Sequence, residues 1–285
     1  MKLCRFDDNR LGVVSGDQVH DVTEVLAKLP ALHYPYPMFD ALIASLPDLR
    51  GEIERLATRA RAIPLGSCAL LPPLANPGKI VAAPVNYQKH LQEVRKDANL
   101  HHGNMINEIE RAGLFLKATS SLVGQSEGVR LVHADRRNDH EVELAVVIGK
   151  RAKNVSRETA LSYVAGYCIG LDITIRGPEE RSFRKSPDSY TVLGPWLVTA
   201  DELPDPSALD LSIEVSNEPR QRSNTADLIL DVPALIAFAS SFYTLVPGDV
   251  LLTGTPEGVG PIQPGDNMKA TIERIGTMHV AVTQA

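Results

Sequence analysis

The chain of 285 residues is 44% hydrophobic, which is enough to bury the core of one large domain or of a large and a small one. Its formal net charge of −6 and the lack of a basic stripe exclude a nucleic-acid-binding surface, and no apolar run is long enough to cross a membrane. Three dispersed cysteines and an N-terminus without a hydrophobic leader lead us to expect reduced thiols and a cytoplasmic location.

The first quarter of the chain has the pattern of a small separate unit. Residues 1–25 predict short strands, and residues 38–62 have a helical pattern. Three prolines and a glycine at residues 71–79 are typical of a linker. We therefore expect a small N-terminal domain at residues 1–75 and a larger catalytic domain at residues 76–285.

The larger region is rich in predicted strands. Residues 90–113 indicate helical fragments, residues 155–167 a short helix with Ser156 as N-cap, and residues 231–242 a helix capped by Asp231. Predicted strands occupy much of the remainder, at residues 80–87, 138–150, 168–176, 209–217 and 265–282, and residues 245–260 predict a turn, a buried strand and a glycine-rich loop. Because the strands do not alternate regularly with helices, the pattern predicts an α+β, β-rich mixed fold rather than a doubly wound sheet.

Two carboxylates stand at the start of the apolar strand predicted at residues 138–150. Glu141 and Glu143 are two residues apart, so a regular strand points both to the same side. Exposure at the strand end, raised pKa values or a bound cation would each relieve their repulsion. Asp172 lies in another apolar strand, and three carboxylates from two strands suit Mg²⁺ or Mn²⁺ better than Zn²⁺. A solvated strand end is the alternative for the two glutamates.

An acid–base pair is indicated by His90 and Glu93, which are three residues apart and meet on one helical turn. A carboxylate beside an imidazole orients the ring, and such a pair can activate water; a surface ion pair is the alternative. Lys185 and Asp188 can bind an anion, or they can be solvent-exposed loop residues without a binding role. The segment TGTPEGVG at residues 253–260 can offer N–H groups to a carboxylate, but it matches no nucleotide-binding motif.

Taken in order, these pieces resemble the fumarylacetoacetate hydrolase family. The likeness spans roughly residues 75–285 and departs from the family pattern at Leu171, Arg184 and Pro187 and over residues 177–183. The segments that carry it are 85–93, 114–124, 139–156, 163–176, 185–196, 223–229 and 247–260.

The resemblance implies a β-rich roll or sandwich with a small N-terminal domain, a homodimer, and a bound Mg²⁺ or Mn²⁺. It also implies roles for individual residues. The metal ligands would be Glu141, Glu143 and Asp172, the catalytic residues His90, Glu93 and Lys185, and the substrate-binding residues Tyr87, Lys117, Arg176 and Thr255.

The activity implied by the resemblance is hydrolysis of a carbon–carbon bond in a ketonic acid, in the breakdown of aromatic compounds. The substrate would be a small 2-oxo acid of the acylpyruvate type, such as fumarylacetoacetate or fumarylpyruvate. His90 and Glu93 would activate water, and the metal would stabilise the enolate that leaves. Three alternatives stay open: an isomerase or hydratase of unsaturated 2-oxo dioic acids, an oxaloacetate decarboxylase, and a non-catalytic metal- or metabolite-binding protein.

Overall fold

The structure, a computed structural model, describes residues 1–102 and 106–285. The strands are β1 (Lys2–Phe6), β2 (Arg10–Ser15), β3 (Gln18–Asp21), β4 (Ala62–Pro64), β5 (Leu70–Leu71), β6 (Ile80–Ala82), β7 (Phe115–Lys117), β8 (Leu122–Val123), β9 (Val129–Leu131), β10 (Asn138–His140), β11 (Val142–Ile148), β12 (Val164–Asp172), β13 (Thr174–Ile175), β14 (Thr191–Thr199), β15 (Asp210–Val215), β16 (Glu218–Asn224), β17 (Val250–Leu252), β18 (Gly260–Pro261), β19 (Asn267–Ile272) and β20 (Gly276–Gln284).

The helices are few and mostly short. The α-helices are α1 (Ala41–Ala57), α2 (Gln88–Lys96), α3 (Ala98–His101), α4 (Ile109–Ala112), α5 (Arg181–Lys185) and α6 (Val232–Phe242). Turns of 3₁₀ helix occupy Thr23–Lys28, Leu65–Ser67, Thr119–Ser121, Ala160–Tyr163 and Thr225–Asp227. Within the described ranges, no helix is both long and apolar enough to cross a membrane.

The strands form three sheets in the described part of the chain. The largest has 12 strands, with the order β4-β3-β2-β1-β14-β12-β11-β17-β6-β7 and with β5 and β8 paired to β1 and β14. A three-stranded sheet has the order β13-β10-β18, and a five-stranded sheet has the order β16-β15-β19-β20-β9. The N-terminal strands extend the largest sheet, because β1 pairs with β14 and places Leu3 opposite Leu197. The domain boundary at residue 75 stays a prediction.

Strand β11 lies at the centre of the molecule and is buried along its whole length. Its alternate side chains face two different cores. Leu144 and Val146 pack in the core that includes the five-stranded sheet, whereas Ala145 and Val147 pack in the core that includes α1. Burial on both faces explains why the sequence of this strand is continuously apolar instead of alternating.

Most of the predicted elements that frame the site are confirmed. Helix α6 follows Asp231, whose carboxylate accepts a hydrogen bond from the Ala234 amide at 2.9 Å. The helix predicted at residues 155–167 is wrong: a 3₁₀ turn covers Ala160–Tyr163, Ser156 caps no helix, and β12 begins at Val164. Pairing with β11 explains the difference, because a long partner strand overrides the local helical pattern.

Candidate active site

Three carboxylates converge where the predicted strand at residues 138–150 changes sheets. Glu141 lies between β10 and β11, Glu143 is the second residue of β11, and Asp172 is the last residue of β12. Each offers a carboxylate oxygen, and these three atoms all lie within 4.8 Å of one another. The predicted convergence is confirmed, whereas the solvated strand end is wrong, because Glu141 and Glu143 are only 3% and 1% exposed.

Two lysines neutralise part of this negative charge. The Lys185 ammonium, at the end of α5, donates to Glu141 Oε2 at 2.7 Å and to Asp172 Oδ2 at 2.6 Å. The Lys117 ammonium, at the end of β7, donates to Asp172 Oδ1 and to the Tyr190 carbonyl oxygen. Both oxygens of Asp172 therefore accept from an ammonium group, which fixes the orientation of the carboxylate.

Arg176 holds the opposite side of Glu141. Its Nη2 donates to Glu141 Oε1 at 2.8 Å, and its Nε donates to Asp139 Oδ2 at 2.7 Å. Asp139 is fully buried and also accepts from Arg137. The sequence analysis missed Asp139. This residue precedes Glu141 by two positions, so the alternation that pairs Glu141 with Glu143 on one side of an extended strand also predicts Asp139 there.

The carboxylates differ sharply in their electrostatics. Burial raises the pKa of Glu143 well above its ordinary value, and the neighbouring Asp172 charge adds to this rise. Burial acts in the same direction on Glu141, but Lys185 and Arg176 outweigh it and lower the pKa of Glu141 to about 2. Among the residues that the structure describes, no Lys, Arg or His side chain forms an ion pair with Glu143.

The donor set fits a hard divalent cation. All three acidic residues offer oxygen, which Mg²⁺ and Mn²⁺ prefer, and the cluster contains no thiolate that would favour a softer metal. A cation beside Glu143 would supply the positive partner that this buried carboxylate lacks among the described side chains.

The predicted contact between His90 and Glu93 forms on α2. His90 Nδ1 lies 2.8 Å from Glu93 Oε2, and the other oxygen of Glu93 accepts from the Gly258 amide at 2.9 Å. His90 is buried, so this contact is not an ordinary surface ion pair. A carboxylate on Nδ1 holds the proton there and leaves Nε2 as the basic nitrogen.

A cavity of about 320 Å³ is lined by one member of each group, His90 and Glu141, whereas Glu93, Glu143 and Asp172 do not line it within the described residues. Its wall includes His90, Glu141, Lys185 and Arg176, together with side chains from α2, α3 and α5. Tyr87, Lys117 and Thr255 do not line it in the described part of the chain, although each is buried. Part of the segment at residues 94–113 lines the wall as well, whereas residues 103–105 of that segment lie outside the described residues.

The glycine-rich loop after β17 touches both halves of the site. The Gly254 amide donates to Glu143 Oε2 at 2.7 Å, and the Gly258 amide donates to Glu93. Both glycines have positive φ angles, of +96° and +92°, which residues other than glycine rarely adopt. The loop therefore positions one metal-binding candidate and the partner of the candidate base.

Gln221, on β16 of the five-stranded sheet, fixes this loop to β11. Its amide nitrogen donates to Thr255 Oγ1 at 2.8 Å and to the Pro256 carbonyl oxygen at 2.7 Å. Its oxygen accepts from the Val142 amide at 3.1 Å, and Thr255 Oγ1 donates to the Val142 carbonyl oxygen. The sequence analysis missed Gln221, because the polar segment around it carries no local signal for a buried residue.

Together, the fold and the site define an α+β protein that holds a buried carboxylate triad beside a His–Glu pair at the junction of its sheets. The chain matches the family described as fumarylacetoacetate (FAA) hydrolase C-terminal over residues 79–283. The chain therefore belongs to the fumarylacetoacetate hydrolase family, and the predicted family and fold class are confirmed.

Individual relatives cover the whole chain. Maleylpyruvate hydrolase of Aquipseudomonas alcaligenes is 62% identical over 284 residues, which are 99% of each chain. The crystal structure of maleylpyruvate hydrolase from Sphingobium sp. SYK-6 in complex with manganese (II) ion and pyruvate is 41% identical, covers 100% of both chains and has a TM-score of 0.84. A 2,4-didehydro-3-deoxy-L-rhamnonate hydrolase of Sphingomonas sp. is 34% identical and covers 100% of this chain and 96% of its own.

Proposed function

We propose that this protein is a metal-dependent hydrolase that cleaves the carbon–carbon bond of an acylpyruvate, with maleylpyruvate or a similar dicarboxylic acid as substrate. One observation carries the proposal: the candidate base His90 and Glu141, one member of the carboxylate cluster, line the same cavity. Hydrolysis of an acylpyruvate needs both parts, a base for water and a site that stabilises the enolate. The identity of 62% to a maleylpyruvate hydrolase over almost the whole chain supports this substrate class.

Glu141, Glu143 and Asp172 would hold the Mg²⁺ or Mn²⁺ ion. When bound, the ion would supply Lewis-acid chemistry at the 2-oxo acid end of the substrate. The similar chain from Sphingobium, which is described in complex with manganese and pyruvate, supports this assignment.

His90 would act as the general base. Glu93 holds the proton on Nδ1, so Nε2 takes a proton from water while the water oxygen bonds to the acyl carbonyl carbon. The bond between that carbon and C3 of the pyruvate unit then breaks, and its electron pair leaves with the pyruvate enolate. The enolate takes up a proton to become pyruvate, and the acyl carbon becomes the second carboxylic acid.

The cationic residues would have two kinds of role. Lys185 lines the cavity and would stabilise the negative charge of the departing enolate. Lys117 and Arg176 donate hydrogen bonds to Asp172, Glu141 and other protein groups, which supports a role in positioning these carboxylates. The hydroxyl hydrogen of Thr255 is donated to Val142, so its backbone amide is the better candidate to meet a substrate carboxylate.

The assembly and location are also proposals. We infer a cytoplasmic homodimer that acts on a small molecule and binds neither nucleic acid nor membranes, in keeping with the family and the net charge of −6. Light scattering of the purified protein would give twice the monomer mass if this is correct, and the monomer mass if it is wrong.

The activity is tested with metal-stripped protein and a panel of maleylpyruvate, oxaloacetate and an unsaturated 2-oxo dioic acid. We expect maleylpyruvate to yield pyruvate and maleate in equal amounts after Mn²⁺ is added, with no turnover in excess chelator. Turnover of oxaloacetate or of the dioic acid alone would replace the proposal with a decarboxylase or an isomerase. Absence of metal-dependent turnover on every substrate would support a binding protein.

A further inference from the structure

Arg181 is a cationic side chain of the cavity wall to which the reaction proposed above assigns no role. Arg181, the first residue of α5, lines the same cavity as Lys185 and His90. In the part of the chain that the structure describes, its guanidinium forms neither an ion pair nor a hydrogen bond with a protein group. Arg176, by contrast, forms ion pairs with Asp139 and Glu141.

Packing fixes Arg181 beside the reaction centre. Its Cζ lies 5.6 Å from the centre of the Phe115 ring, and Lys185 Nζ lies 5.5 Å from the same centre. Both distances end at one ring centre, so the two cationic groups are no further apart than the sum of these two distances. Because Lys185 contacts Glu141 and Asp172, Arg181 is positioned close to the proposed metal site.

The carboxylates of Glu141, Glu180 and Asp172 act favourably on the charge of Arg181, but within the described residues none of them pairs with it directly. Arg184 donates to the carbonyl oxygens of Glu179 and Ile175, so it adds a second positive charge to the wall. Glu179 is engaged by Arg136, and the carboxylate of Glu180 accepts from the Ser182 amide. Burial lowers the pKa of Arg181, which means that its charge is partly desolvated and that an anion beside it would be favoured.

We propose that Arg181 binds the carboxylate at the far end of the acyl group, and thereby selects acylpyruvates whose acyl group carries a second negative charge. A guanidinium matches a carboxylate with two parallel hydrogen bonds, which a lysine cannot reproduce. Arg181 also falls within residues 177–183, where the sequence departs from the pattern of the family it resembles. This inference rests on the proposed function and adds the residue that recognises the acyl end.

The test compares two substrates in Arg181→Gln and in the wild-type holoenzyme with Mn²⁺. Maleylpyruvate has the distal carboxylate, and acetylpyruvate ends in a methyl group. We expect kcat/KM for maleylpyruvate to fall by about 10- to 100-fold in Arg181→Gln, the effect of losing a hydrogen bond between charged groups. On acetylpyruvate the change should stay below about threefold, and Arg181→Lys should recover part of the loss on maleylpyruvate.

A binding measurement separates recognition from chemistry. Maleate should inhibit the wild type competitively and should inhibit Arg181→Gln much more weakly, whereas inhibition by oxalate, which has no acyl end, should be unchanged. The matched control is Arg151→Gln at an exposed position outside the cavity, for which we expect wild-type values with both substrates.

Four outcomes would overturn the inference. Equal losses on both substrates would show that Arg181 supports the structure in general, and an unchanged kcat/KM for maleylpyruvate would show that it does not contact the substrate. Wild-type protein that hydrolyses acetylpyruvate but not maleylpyruvate would leave the hydrolase intact and remove the carboxylate subsite. Wild-type protein that hydrolyses neither would overturn the proposed function together with this inference.

Discussion

Replacing Gln221 by Met tests whether the five-stranded sheet holds the active-site loop. Met has a similar length, so the cavity left behind is small, but it offers no N–H donor and no amide oxygen. The Val142 amide and the Pro256 carbonyl would both lose their partner in a buried setting. At about 1–3 kcal/mol for each unsatisfied group, the free energy of unfolding should fall by about 2–6 kcal/mol.

Urea denaturation measures this loss, and calorimetric titration with Mn²⁺ measures its effect on the site. The affinity for Mn²⁺ should fall as well, because the loop that Gln221 holds also donates to Glu143. Arg222→Met, one residue along the same strand and exposed, is the control and should change stability by less than about 0.5 kcal/mol. A loss below about 1 kcal/mol in Gln221→Met with unchanged Mn²⁺ affinity would refute the reasoning.

Three further predictions concern the base, the metal site and a surface cap. His90→Ala should lower kcat for maleylpyruvate by about 10²- to 10⁴-fold in steady-state assays while Mn²⁺ binding is kept; full hydrolysis would rule out His90 as the base. Glu143→Gln should weaken Mn²⁺ binding at least about tenfold in a calorimetric titration, and an unchanged affinity would rule out Glu143 as a ligand. Without metal, the same variant should be more stable than wild type, because burial raises the pKa of Glu143 and makes its negative charge unfavourable. Arg157 lowers the pKa of Asp231, so the charge of Asp231 stabilises the fold above its ordinary pKa and ceases to do so as the pH falls through the lowered pKa. Asp231→Asn keeps the helix cap, so urea denaturation should show it less stable than wild type by about 0.5 kcal/mol at neutral pH and equal to it in acid; a difference that persists in acid would contradict the assignment.

Local spacing is what made the core of the site predictable from the sequence. Glu141 and Glu143 converge because two residues separate them on extended backbone, and His90 meets Glu93 because three residues separate them on a helix. Asp172 was recognisable as a charge in an apolar strand. Each of these inferences needs only the residues within one element.

The features that were not predicted depend on contacts between different secondary-structure elements. Gln221 lies 79 residues from Val142, and only the packing of one sheet on another brings them together. The helix expected at residues 155–167 fails for a related reason, because Val164 pairs with Ile148 on β11 and the strand continues from there. Tertiary partners of this kind leave no periodic pattern in the segment itself.

The loop at residues 253–258 contacts both parts of the candidate site from one short stretch of backbone. The Gly254 amide donates to Glu143 of the carboxylate cluster, and the Gly258 amide donates to Glu93, the partner of His90. An insertion or a bulky replacement there would displace the proposed metal ligand and the partner of the proposed base in a single step. Arg181 and its neighbours on α5 depend on neither contact. Descendants of this chain can therefore acquire new acyl preferences by changes at Arg181, provided that Lys185 at the other end of α5 is kept.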